Sequence, residues 1–79
     1  MTTQAGHKPE FLGIHLLDAA TGRYFRKLGE WVEDRRNATG FRSASEAIDL
    51  AYRVSLENVE LLVTFLLPTY REIRLPLRA

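Results

Sequence analysis

The sequence predicts a two-layer α+β domain: a mainly antiparallel sheet of three to four strands with one helix on one face, in ββαββ order. Three observations carry this expectation. The stretch Phe41 to Val54 reads as a capped amphipathic helix. Short segments rich in β-branched, aromatic and leucine residues lie on either side of it. Turn residues separate those segments: Asp18 to Gly22 in the first half, Asn58 and Pro68 in the second.

The helix is the organising element. Ser43 followed three residues later by Glu46 has the spacing of a capping box, each side chain satisfying an orphan backbone donor. Ala44, Ala47, Ile48, Ala51 and Val54 then recur at helical spacing, with Glu46, Asp49, Tyr52 and Arg53 on the other side. A stripe made mostly of alanine lets a helix lie close against a sheet. Phe41, just ahead of the cap, is placed to pack back onto the first turn.

In chain order, residues 1–9 are polar and punctuated by Gly6 and Pro9, which predicts a disordered tail ahead of a single domain at 10–79. Phe11 to Leu17 reads as a strand apolar on both faces. Asp18-Ala19-Ala20-Thr21-Gly22 is a turn, with Asp able to bond its own backbone and Gly22 able to take positive φ. Arg23 to Trp31 is the return strand, with Tyr24 and Phe25 on opposite faces. Val59 to Leu67 is the third strand, Val59, Leu61, Val63, Phe65 and Leu67 alternating with Glu60, Leu62, Thr64 and Leu66. Glu72 to Leu77 is the last. Pro76 cannot donate to a ladder, so this strand belongs at an edge.

Composition limits the function classes. The chain has 79 residues, 46% hydrophobic and 27% charged, with a formal net charge of +1. That is the profile of one ordinary globular domain. Without cysteine there is no disulfide, thiolate ligand or thiol nucleophile. His7 and His15 are too few for an all-histidine zinc site. No apolar run reaches membrane-spanning length and the start lacks a signal-peptide plan, so the expectation is a cytoplasmic protein without a membrane partner.

Tyr24-Phe25, Trp31, Asp34, Ala38, Phe41, Ser43 and Glu46-Ala47 form the layout YF…W..D…A..F.S..EA. It resembles one recurring in short, uncharacterised bacterial and phage-related proteins. The resemblance covers the middle third of the chain. It implies a compact hairpin-plus-helix unit and brings no activity with it.

The sequence points away from an enzyme and calls for no cofactor. The five glycines are scattered singly, none in a phosphate-binding spacing. His15 sits inside an apolar strand with no nucleophile at hand and reads as a sheet residue. Glu30, Glu33 and Asp34 read as a solvated loop rather than a metal cluster. Trp31 reads as a core or core-edge residue.

Two functions follow from these residues. The favoured one is a small protein-interaction module, a homodimer formed through the sheet face opposite the helix. Leu62 and Leu66 would lie there with Leu12, Ile14 and Leu16, since one helix covers one face and an apolar patch on a small domain marks an association surface. The competing arrangement has Ile73, Leu75 and Leu77 folding back over that face within one chain. The other function is weak nucleic-acid binding through Arg23, Tyr24, Arg26, Lys27, Arg35, Arg36 and Arg42, a basic stretch with interleaved aromatics. Glu30, Glu33 and Asp34 in the same stretch weigh against it.

Overall fold

A computed structural model describes residues 11–65 and 70–77. Its elements are β1 (Phe11–Asp18), β2 (Tyr24–Lys27), β3 (Glu30–Val32), a 3-10 turn (Arg35–Asn37), α1 (Ala44–Arg53), β4 (Val59–Phe65) and β5 (Arg71–Leu77). The strands form one open antiparallel sheet in the order β3-β2-β1-β4-β5. The α+β class is as the sequence predicts, and the strand count and order are corrected. There are five strands because the expected return strand Arg23 to Trp31 divides in two. Gly29 takes a φ of +84°, and the chain folds back so that Lys27 pairs with Glu30 and Phe25 with Trp31. The expected tail at 1–9, Leu66 and the turn at Pro68-Thr69 lie outside the described residues.

The turn between β1 and β2 forms as its residues dictate. The Gly22 N–H donates to the Asp18 carbonyl at 2.8 Å, and the Asp18 carboxylate accepts from the Ala20 N–H and the Thr21 hydroxyl. Gly22 has a φ of +77°.

At the helix start, the Ser43 side chain accepts from the Glu46 N–H at 3.1 Å. The reciprocal bond differs from the expected box: Glu46 accepts from the Arg42 N–H at 2.8 Å, one residue ahead of the cap. The helix closes with Ser55 at a φ of +57°. Ser55 N–H bonds to the Tyr52 carbonyl and Leu56 N–H to the Ala51 carbonyl, the paired closure of a left-handed C-terminal cap. Phe41 bridges backbone-to-backbone with Ile14 and stacks on Phe25, the ring centroids 6.4 Å apart.

The helix lies over the two central strands, β1 and β4. Ala47 and Ala51 are fully buried there with Ile14, Leu16, Phe25, Val59 and Leu61. Small side chains on the helix permit that close approach. Trp31 packs edge-on against Phe25 at 5.4 Å and remains half-buried, the core-edge position expected for it.

The strand register corrects which side chains share a face. Leu16 stands opposite Leu61 and Ile14 opposite Val63, so Ile14 and Leu16 belong to the helix side. His15 stands opposite Leu62 and Leu17 opposite Glu60, and these point the other way. Ile73, Leu75 and Leu77 stand opposite Val63, Leu61 and Val59, so they also face the helix side and do not cover Leu62. A central sheet strand alternates strictly, and like phases meet when β4 and β5 pair. As Pro76 indicated, β5 is an edge strand.

Candidate functional site

Exposed apolar surface gathers at the β5 edge of the helix side. At about 1.5 Å per residue, ten helical residues reach roughly 15 Å, enough to cross β1 and β4. Ile73 and Leu75 are left 46% and 49% exposed. Between them and the start of α1 lies an open hollow of about 500 Å³, floored by Leu61, Val63 and Phe65 and bordered by Ser43 and Ala44. Ala44, Ile48 and Tyr52 follow one row of the helix at four-residue spacing, and Tyr52 at the far end of that row is also exposed. Arg42 lines the hollow, and Arg71 shares the face by pairing with Phe65.

Of the sequence-predicted association residues, Leu62 lies on the opposite face from Ile14 and Leu16. Leu62 is 1% exposed within a single chain, and Ile14 and Leu16 are core residues under the helix. Leu12 lies on β1, and Leu66 falls outside the described residues. The face opposite the helix therefore does not offer Leu62 to solvent. It holds Leu17, Leu62, Thr64 and His15 in buried positions, with Glu72 and Arg74 alongside by register.

His15 is the unusual member of that face. It is 6% exposed, its Nδ1 has no hydrogen-bond partner among the described residues, and Tyr24 meets it edge-on at 6.1 Å. Burial, and then the nearby Arg35 guanidinium, hold its pKa below the ordinary histidine value. A Cβ on Gly13 would stand 2.7 Å from His15 Cε1, so the ring occupies space that only glycine leaves open.

Beside this face runs a hydrogen-bonded chain. Arg35 Nη1 donates to the Tyr70 hydroxyl at 3.4 Å, which donates to Glu72 Oε2 at 2.7 Å, and Arg74 donates to Glu72 Oε1 at 3.3 Å. The Tyr70 bond holds the Glu72 carboxyl below its ordinary pKa, and the same bond raises that of the Tyr70 hydroxyl.

The basic stretch is distributed among acids. Arg23 lies 3.5 Å from Glu33, Arg26 and Lys27 lie 3.9 and 3.7 Å from Glu30, and Arg42 lies 3.8 Å from Glu46. Arg36 pairs with Asp34 at 2.8 Å, where the Asp34 carboxylate also caps the 3-10 turn and is held below its ordinary pKa by that hydrogen bonding. Arg35 turns to Tyr70, and Tyr24 is half-buried against His15. Glu30, Glu33 and Asp34 thus have separate cationic partners. Among the described residues no three histidine, aspartate or glutamate side chains form a metal-binding group.

Ile73 and Leu75 share one side of the last strand as the sequence predicts, and the competing arrangement, in which they cover the face opposite the helix, is not the one formed. The signal that locates them is phase: the apolar phase of β5 meets the apolar phase of β4 in an antiparallel pair. Among the described residues no helix is long and apolar enough to cross a membrane. No protein-family model, curated protein or solved structure matches the chain.

Proposed function

We propose that the chain is a small non-catalytic interaction module that self-associates through the β5 edge and the apolar hollow beside it. The observation that carries this reading is the exposure of Ile73 and Leu75, side by side with the hollow, on a strand that among the described residues is paired along one side only. An exposed apolar surface next to an open strand edge is a standing invitation to association, and a small domain gains stability by closing it. The ion pairs along Arg23 to Arg42 weigh against nucleic-acid binding, because neutralised arginines release few counterions from a phosphate backbone.

Light scattering at tens of micromolar tests the reading. The expected mass is twice the 9.1 kDa of the chain. Ile73→Lys with Leu75→Lys should reduce it to one chain mass while the melting midpoint of the monomer stays within a few degrees. A wild-type mass near 9.1 kDa would remove the proposal.

A further inference from the structure

The backbone of β5 carries more information than its side chains alone. The Phe41 N–H donates to the Ile14 carbonyl and the Asp18 N–H to the Arg23 carbonyl, so the even-numbered residues of β1 point their polar backbone groups toward β2. Period two then turns Gly13, His15 and Leu17 toward β4, opposite Thr64, Leu62 and Glu60. By the same alternation Val59, Leu61, Val63 and Phe65 bond across to Leu77, Leu75, Ile73 and Arg71. The residues left facing outward are Glu72, Arg74 and Pro76. Pro76 therefore stands where its missing N–H costs the β4–β5 ladder nothing. The free edge keeps its donors at Glu72 and Arg74.

From this geometry, and resting on the self-association reading above, we infer that a second copy of the chain adds antiparallel to β5, with the two-fold axis passing through Ile73. That register sets Ile73 against the partner's Ile73 and Glu72 against the partner's Arg74, with the reciprocal pair across the axis. Glu72 and Arg74 exchange backbone hydrogen bonds with their opposites, and their side chains make complementary charges on the face away from the helices. Arg71 lies across the partner's Leu75, where its aliphatic stem covers the exposed leucine. Pro76 falls at the end of the paired stretch, opposite the partner's Tyr70.

Neighbouring registers are worse on both counts. An axis through Arg74 sets two arginines face to face and places Pro76 opposite Glu72, where a donor is needed. An axis through Glu72 sets two glutamates together. An axis through Leu75 places Arg74 opposite Pro76, losing a backbone bond and the charge pair together. Of these registers the one at Ile73 alone keeps the Glu72–Arg74 charge pair, and it moves the missing donor of Pro76 to the end of the ladder. It is isologous, so the assembly closes as a dimer with one continuous ten-stranded sheet and does not run on into a filament.

The chain has no cysteine, which makes a clean cross-linking test available. Ile73 meets its equivalent as a pair not bonded through the backbone, about 4.5 Å between Cα atoms, within reach of a disulfide. The Ile73→Cys protein should convert mostly to a covalent dimer under mild oxidation, while Arg74→Cys and Leu75→Cys remain mostly uncross-linked. Glu72→Arg and Arg74→Glu should each weaken the dimer at least tenfold, and the double exchange should recover it to within a few-fold. The denaturation midpoint of the isolated monomer separates these losses from a change in folding.

A wild-type dimer whose Ile73→Cys variant resists cross-linking, or which cross-links best through Arg74→Cys or Leu75→Cys, overturns this register and leaves self-association standing. A monomeric wild-type protein overturns both.

Discussion

On the helix side of the sheet, Ala47 and Ala51 let α1 settle over Leu16, Val59 and Leu61, and the buried surface there is wholly apolar. On the opposite side, Leu17 and Leu62 are buried just as deeply, but with a histidine and a threonine among them. Both faces are closed at the centre and differ in chemistry. Across β1, β4 and β5 exposure follows strand position instead. β1 and β4, paired on both sides, are buried on both faces, and β5, paired on one, is exposed along almost its whole length. In this half of the sheet, distance from the edge governs what is left for a partner. At the other end β3 is half-buried throughout although it is an edge strand, while β2, paired on both sides, exposes Arg26 and Lys27.

The largest effect that tests this comparison comes from placing the same charge at two leucines. Leu62→Glu puts a carboxylate into a position 1% exposed and should cost about 3 kcal/mol or more, enough to unfold a domain of this size. Leu75→Glu, at the edge of the helix side, should change monomer stability by no more than about 0.5 kcal/mol. Urea denaturation of both proteins reads the contrast directly. A stable Leu62→Glu protein would mean that the face opposite the helix is open after all.

An intermediate effect is expected at Gly13. Its φ of +153° and the 2.7 Å approach of His15 Cε1 both oppose a side chain. Gly13→Ala should lower stability by about 1–3 kcal/mol. Introduced into a His15→Ala background, where the clash is absent, the same Gly13→Ala change should cost less than it does in the wild type, leaving only the backbone strain.

The smallest effect is a pH dependence confined to the histidine face. His15 has a folded pKa below its ordinary value of 6.5, so the unfolded chain takes up the proton first. Stability is full above about pH 6.5 and declines as the pH falls below it, until the folded form is itself protonated. Thermal melts from pH 8 to pH 5 should show this slope in the wild type and a shallower one in His15→Phe. Equal slopes would place the titrating group elsewhere.

Much of the architecture was legible because it rests on local chemistry. Ser43 and Glu46 announce the helix, Asp18 and Gly22 the first turn, and Pro76 the edge. Gly29 was harder: Arg23 to Trp31 carries its apolar residues, Tyr24, Phe25, Leu28 and Trp31, in both phases, so no break in alternation marks the short reversal at Leu28-Gly29. The assignment of faces failed for a physical reason. β1 has leucines in both phases, and the irregularity between Phe11 and Gly13 shifts its register against β4, so the sequence offered no preferred side for Ile14 and Leu16. The candidate interaction surface depends on which strand lies outermost and how its phase meets β4. Both are relations between segments far apart in the chain, and no local motif encodes them.

The central position of β1 has a kinetic consequence. Its longest partner is β4, and residues as far apart as Gly13 and Thr64, 51 positions along the chain, meet across that ladder. A growing chain can close the β1–β2 turn and wind α1 early, since both need only near neighbours. One flank of β1 must then wait until β4 has been synthesised, with Leu16 and Leu17 uncovered in the meantime. Folding of this domain should therefore be gated by its last third, and a chain truncated before β4 should be captured by chaperones rather than persist as a partly folded hairpin and helix.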